Sequence, residues 1–189
     1  MLILASASPR RRELLRQAGY QFRVAASQTE ETVLTPLPPP ELVRHLAERK
    51  ALSVASQFPD DTILAADTVV ALENTIFGKP DSPQQAAAML QQLSNREHQV
   101  YTGYCVRQGT WMESHWVETK VTFFPIRSEE IAAYVSTGEP LDKAGAYGIQ
   151  GRGALLVREI QGDFYNVVGL PLSQVYRTLQ KVGITPEAP

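Results

Sequence analysis

The sequence predicts an α/β fold, and three observations lead there. Short apolar runs suited to strands alternate with segments of helical period, the pattern of a domain built from packed sheet and helix layers. The longest apolar run, Thr62 to Leu72, is broken only by Asp67 and Thr68, as expected of a strand buried on both faces. Val100 to Arg107 and Trp111 to Ile126 are separated only by Gln108-Gly109-Thr110, the spacing of a hairpin. A sheet containing that hairpin is mixed rather than wholly parallel.

The elements follow in order. Leu2 to Ala5 reads as a short first strand. Ser8-Pro9 then opens a helix that reaches Ala18 and stops at Gly19. Phe22 to Ala25 is a candidate second strand, and the proline-rich Thr35 to Pro40 is read as loop. Glu41 to Phe58 has a helical period, with Val43, Leu46, Ala47, Ala51 and Val54 on one side. Ser82-Pro83 starts a helix over Gln84 to Leu93, and Ser128 caps another that reaches Val135. A glycine-rich segment, Gly145 to Gly153, precedes a strand at Ala154 to Ile160. Leu172 to Val182 closes the chain as a helix, with a frayed tail expected after Gly183.

A chain of 189 residues with 43% hydrophobic content can bury a sizeable core, and residues 1–189 are read as a single domain. The formal net charge of −2 argues against bulk nucleic-acid binding, which leaves a basic footprint. It does not exclude a small anion held by a local arginine cluster. The single cysteine, Cys105, rules out a disulfide within the chain and fits a reducing compartment. Met1 to Ala5 is too short for a signal peptide, and no run approaches the ~20 apolar residues of a membrane helix. A cytoplasmic protein with no membrane partner is expected.

Four constellations could carry chemistry. The first is Ser6-Ala7-Ser8-Pro9-Arg10-Arg11-Arg12. With Ser8 as cap, the arginines fill the first helical turn, where each exposed cation opposes the helix dipole by about 0.3–1 kcal/mol. A bound anion reverses that sign, because free N–H groups, the positive helix end and guanidinium forks would meet it together. A solvated arginine run is the plainer reading. The second is Lys50, at the border of its helix's apolar face. It either lays its stem on the core and reaches water, or aims a cation into a cleft. Lys79, in Phe77-Gly78-Lys79-Pro80, poses the same choice from a loop.

The third is Asp67. Aspartate is unfavourable in strands, and an unpaired buried carboxylate is costly, so it needs a cation, a metal or several donors. It could hold a divalent metal, activate water, or simply bind backbone groups. Glu30 and Glu31 are further carboxylates, although paired glutamates are commonly surface residues. The fourth is Asp142-Lys143-Ala144-Gly145-Ala146-Tyr147-Gly148-Ile149-Gln150-Gly151. Its glycines allow close backbone approach to a ligand, and the Gln150 amide can both donate to and accept from a base edge. The spacing is neither that of a Walker A loop nor that of a dinucleotide fingerprint. His45, His98 and His115 are scattered along the chain, which argues against a histidine-based site. Cys105, Trp111 and Trp116 read as packing residues.

Taken together, these blocks resemble the Maf family of nucleotide pyrophosphatases. The resemblance runs from Leu4 to Pro171, through Leu4-Ala5-Ser6-Ala7-Ser8-Pro9-Arg10-Arg11, Ala65-Ala66-Asp67-Thr68-Val69-Val70, Gly78-Lys79-Pro80 and Thr102-Gly103. It continues through Gly138 to Gly151 and ends at Asn166-Val167-Val168-Gly169-Leu170-Pro171. It implies an ITPase-like fold: an elongated mixed sheet flanked by helices, with two lobes and a central cleft. It also implies a divalent metal, magnesium or manganese, and cleavage between the α- and β-phosphates of a nucleoside triphosphate. By resemblance the catalytic aspartate is Asp67, and Glu31 and Asp67 are the acids for the metal. Ser8, Arg10, Arg11, Lys50 and Lys79 would bind phosphate. Arg10, Thr68 and Gln150 would set the choice of base, with Lys143 a further substrate residue.

The family's 7-methyl-GTP branch typically carries tryptophan, glutamine and glutamate where this chain has Arg10, Thr68 and Gln150. The resemblance is therefore to the dTTP/UTP branch, and it leaves room for a homodimer. Two rivals are an ITP/XTP-type pyrophosphatase and a non-catalytic, nucleotide-binding regulator of septum formation.

Overall fold

The computed structural model describes residues 1–27, 36–73 and 75–187. It is mixed α/β. Among the described residues, seven strands form a sheet of order β2-β1-β3-β5-β6-β7, with β4 paired to β3. The strands are β1 (Leu2–Leu4), β2 (Arg23–Val24), β3 (Thr62–Leu72), β4 (Thr75–Phe77), β5 (Glu97–Gln108), β6 (Trp111–Phe123) and β7 (Val157–Gln161). The helices are α1 (Pro9–Gln17), α2 (Pro39–Ala55), α3 (Pro83–Leu93), α4 (Ser128–Val135), α5 (Phe164–Val168) and α6 (Leu172–Gln180). β1 runs parallel to β2 and β3, whereas β4 is antiparallel to β3 and β7 antiparallel to β6. The mixed sheet expected from the hairpin is present. β5 and β6 are neighbours joined by Gly109-Thr110, with Gly109 at φ +59°, the positive φ that a two-residue hairpin turn favours.

The chain divides into two compact units, residues 1–67, 102–117 and 169–189, and residues 68–101 and 118–168. In the first unit, β1 and β3 pack against α2 through Ile3, Ala5, Ile63 and Ala65 on the sheet and Ala47, Ala51 and Val54 on the helix. The apolar face of α2 is the one its periodicity specifies, since Val43, Leu46, Ala47, Ala51 and Val54 are all buried. Small residues predominate at this contact, so helix and strand lie close. Tyr104 bonds Thr178 of α6 through hydroxyls 3.0 Å apart, a buried polar pair that satisfies both groups.

In the second unit, α3 and α4 supply Leu90, Leu93, Ile131 and Tyr134 to a core shared with Val70, Val121, Phe123 and Tyr147. His98 lies at the centre of an aromatic cluster. Its ring meets those of Phe123 and Tyr147 edge-on at 4.8 and 5.4 Å, and its Nε2 shares a 2.8 Å hydrogen bond with the Tyr147 hydroxyl.

Several sequence expectations shift. α2 begins at Pro39, inside the stretch read as loop, because prolines are tolerated in a first turn where their missing N–H groups have no intrahelical partner. Ser128 is the first residue of α4, and Arg127 occupies the cap. Arg152–Leu156 forms a 3-10 turn, so β7 starts only at Val157. β4 and α5 were not foreseen, being three and five residues long. The tail is not frayed up to Glu187, whose N–H donates to Gly19 O at 2.9 Å. Trp116 is 45% exposed rather than packed. No described helix is long and apolar enough to cross a membrane.

Candidate active site

The parallel register of β1 on β3 decides what lies together in the first unit. Leu4 pairs with Leu64, and Ala5 N–H donates to Leu64 O at 2.8 Å. Both strands run the same way, so the Ser6-Ala7-Ser8 turn leaves β1 on the side toward which β3 advances to Asp67. Loops at the carboxyl ends of parallel strands are where such sheets bind ligands.

The turn is tightly held. Ser8 caps α1, its Oγ accepting from Arg11 N–H at 3.4 Å, with Pro9 as the first helical residue. Ser6 Oγ accepts from Ser8 N–H at 3.3 Å and from the Arg11 guanidinium at 3.1 Å. Arg11 Nε donates to Gly169 O at 2.8 Å, tying α1 to the Gly169-Leu170-Pro171 segment. Arg12, for which the sequence offered no role, donates to Ala7 O at 3.1 Å and so fastens the same turn. No acidic residue occupies the first turn of α1. Arg10, partly exposed, sits in that turn beside the positive end of the helix.

Asp67 lies in the middle of β3 and is only 7% exposed. Its Oδ1 accepts from Lys50 Nζ of α2 in a short ion pair, with the two side chains 10% and 12% exposed. Of the two readings open for Lys50, the structure shows a cation turned inward to the strand carboxylate. The pairing supplies the counter-charge that Asp67 requires at this depth.

In the second unit, the Gly78-Lys79-Pro80 loop and the glycine-rich segment are joined, since Gly145 N–H donates to Gly78 O at 3.1 Å. Lys79 and Gln150 are exposed, and among the described residues neither side chain has a hydrogen-bond or ion-pair partner. Lys143 is engaged locally. Its ammonium donates to Glu139 O and Asp142 Oδ1, each at 2.6 Å. Thr68 is half-buried in β3, directly after Asp67.

A group missed in the sequence surrounds Glu139. Its carboxylate accepts from Tyr134 OH at 2.8 Å, Arg152 N–H at 2.9 Å and Gly153 N–H at 3.1 Å. Tyr134 OH in turn accepts from Gly148 N–H at 3.1 Å. Burial pushes the Glu139 carboxyl up, but the two backbone donors, Tyr134 and Lys143 outweigh it and hold it below the usual range. The only signal in the sequence was Glu139 between Gly138 and Pro140, and no spacing rule links it to residues 148–153.

Glu31, expected as a metal ligand, lies outside the described residues. Among the described residues, no three His, Cys, Asp or Glu side chains are grouped so that they could hold a metal ion. Asp67 is nevertheless the kind of hard oxygen donor that magnesium takes, usually through one or two carboxylates with waters and substrate phosphates completing the shell. The donor chemistry fits a divalent cation that arrives with a polyphosphate. Cys105 is fully buried, and burial pushes its thiol up to about 12, which suits packing rather than nucleophilic attack.

A family model described as Maf-like protein matches residues 1–182. The chain belongs to the Maf family. It is 54% identical to a dTTP/UTP pyrophosphatase of Moorella thermoacetica over 97% of this chain and 95% of that protein. It is 48% identical to a dTTP/UTP pyrophosphatase of Bacillus pumilus over 98% of each. A third Maf relative, the dTTP/UTP pyrophosphatase of Halalkalibacterium halodurans, is 50% identical over 97% of each chain. Among solved structures, a dITP/XTP pyrophosphatase from Mycobacterium abscessus aligns with 96% of this Maf chain and 98% of its own, at TM-score 0.48 and 15% identity. That likeness is too slight to bear on function.

Proposed function

We propose that this Maf protein, acting as one catalytic domain, hydrolyses dTTP and UTP to the monophosphate and pyrophosphate. The observation that carries the reading is Asp67, a buried acid in the central strand held by Lys50 at the carboxyl-end side of the parallel strands. Relatives about half identical over nearly the whole chain bear that activity in their names.

Asp67 takes a proton from a water molecule as the water oxygen bonds to the α-phosphorus. The bond from that phosphorus to the bridging oxygen breaks, and pyrophosphate leaves with the electron pair. Ser8, Arg10 and Arg11 bring the α1 N-terminus and its guanidinium groups to the phosphate oxygens. Lys50 holds the Asp67 carboxylate in place through their ion pair. Phosphoryl transfer depends mainly on positioning and charge stabilisation, so this modest set of groups is sufficient. Magnesium or manganese, held by Asp67 and Glu31 with the substrate, would neutralise charge on the phosphate oxygens. Lys79, Lys143, Thr68 and Gln150 are assigned to the substrate as well. Gln150 takes the base edge, because its exposed amide offers both a donor and an acceptor.

The test is turnover of a nucleotide panel with magnesium or manganese, with pyrophosphate distinguished from orthophosphate. D67N should still fold, with a lowered thermal melt because Lys50 loses its counter-charge, and should lose at least ~10³-fold in kcat, the scale of removing a positioned base or a key electrostatic group. Wild-type turnover by D67N would remove Asp67 from the chemistry. A preference for ITP over dTTP and UTP would overturn the substrate assignment.

A further inference from the structure

Residues 148–153 carry Gln150, yet they form no regular element before the 3-10 turn at Arg152. A loop without a ladder must take its shape from side chains. Here that shape comes from one carboxylate. Glu139 receives two successive backbone donors, Arg152 N–H and Gly153 N–H, and Tyr134 OH completes its set. Gly148 N–H closes on the same tyrosine, so both sides of Gln150 are fastened to a single Glu139–Tyr134 pair.

The glycines show how closely the loop wraps the carboxylate. A Cβ on Gly151 would stand 2.5 Å from Glu139 Oε2 and 2.6 Å from its carboxyl carbon. A Cβ on Gly153 would stand 2.6 Å from Tyr134 OH. Gly151 has φ −110°, so left-handed backbone is not the reason for glycine there. The reason is space for Glu139. Lys143 adds a second tie, because its ammonium holds the Glu139 backbone carbonyl at 2.6 Å. Charge-assisted bonds of this kind are roughly twice as strong as neutral ones, which makes the carboxylate the stiffest anchor available to the loop.

We propose that Glu139 is the positioning residue for base selectivity: it fixes the 148–153 loop so that Gln150 presents its amide in one orientation to the nucleobase. The inference rests on Gln150 meeting the base, as assigned above. It assigns Glu139 no contact with substrate. The carboxylate is spent on the loop, and its effect on the reaction passes through Gln150.

The experiment compares E139Q, Q150A and the double variant for magnesium-dependent hydrolysis of UTP and CTP. E139Q keeps the volume but replaces a charged double acceptor with one carbonyl oxygen and an amide that cannot receive N–H groups. The expected result is a UTP-over-CTP ratio of kcat/KM reduced on the order of tenfold, through KM for UTP, with kcat for UTP within about threefold. Q150A should lose the same ratio, and the double variant should lose no more than Q150A alone, the non-additivity of groups that act as a unit.

A merely structural role would weaken both nucleotides together and leave the ratio unchanged, and that result overturns the proposal. Additive losses in the double variant overturn it as well. Should E139Q fail to fold, G151A applies the same test from the other side. Its methyl group displaces the carboxylate, and it should reproduce the loss of ratio; a wild-type ratio in G151A refutes the positioning role. Failure of the underlying reading looks different: Q150A itself would then keep the wild-type ratio, or the unmutated protein would release no pyrophosphate from UTP or dTTP.

Discussion

An aspartate in the middle of a buried strand is tolerable only if its charge is answered. In β3 the answer is Lys50, contributed by the helix that packs on the strand. Removing one partner of a buried pair leaves an uncompensated charge, so K50M should destabilise the protein by about 3 kcal/mol, at the low end for such pairs because both side chains remain a tenth exposed. Urea unfolding measures that loss, and an unchanged midpoint would show that Asp67 finds its counter-charge elsewhere. Cys105 supplies a second measurable consequence. A thiol pushed up to about 12 by burial should react with a disulfide reagent only when the native state opens. Labelling that tracks unfolding in urea is expected, and rapid labelling of the native protein would contradict the burial.

The helix that carries Lys50 lies so close to β5 that one glycine governs the contact. A Cβ on Gly103 would fall onto the Val43 carbonyl and the Arg44 nitrogen, which are backbone atoms of α2 with no rotamer through which to yield. G103A should therefore cost about 1–3 kcal/mol by overpacking, and lower turnover as α2 shifts Lys50 away from Asp67. A thermal melt and a rate measured on one preparation check both effects. Sequence patterning read this level well where periods were long. Five of the six buried positions of α2 and the eleven-residue β3 were specified by spacing alone. It failed at β4, at α5 and at the 3-10 turns, because three to five residues are too few to establish a period. The candidate site divided in the same manner. Asp67, Lys50 and Ser8 stood out because each is anomalous where it sits, as an acid in a strand, a cation at an apolar border and a cap before arginines. Glu139 did not, because an acid beside a glycine and a proline is ordinary in a loop, and the partners of its carboxylate lie five residues before it and 13 and 14 residues after it. Arg12 was unreadable for the same reason: its value is a bond to a carbonyl that only the folded turn presents.

Stability of the protein as a function of pH gathers these local effects into one curve. His98 is fully buried, and burial lowers its pKa from 6.5 to about 4. The unfolded chain regains the ordinary value, so between about pH 4 and 6.5 the unfolded state binds more protons than the native state, and stability rises with pH. The contribution is fully present above pH 6.5 and is lost as pH falls through about 4. A shift of that size corresponds to about 3 kcal/mol of native stability lost across the window. Glu139, whose carboxyl is held below its usual range, acts with the same sign at more acidic pH, since protonating it releases Arg152, Gly153 and Tyr134. H98Q separates the two. Glutamine can still bond the Tyr147 hydroxyl but cannot titrate, so the variant should be less stable at pH 7.5 and yet show a flatter profile from pH 6.5 down to 4.5. The steep fall that remains below that range belongs to the carboxylates. Denaturant unfolding at half-unit pH intervals measures both slopes. An H98Q profile parallel to the wild-type one would mean that His98 is not the group whose protonation drives acid unfolding in that window.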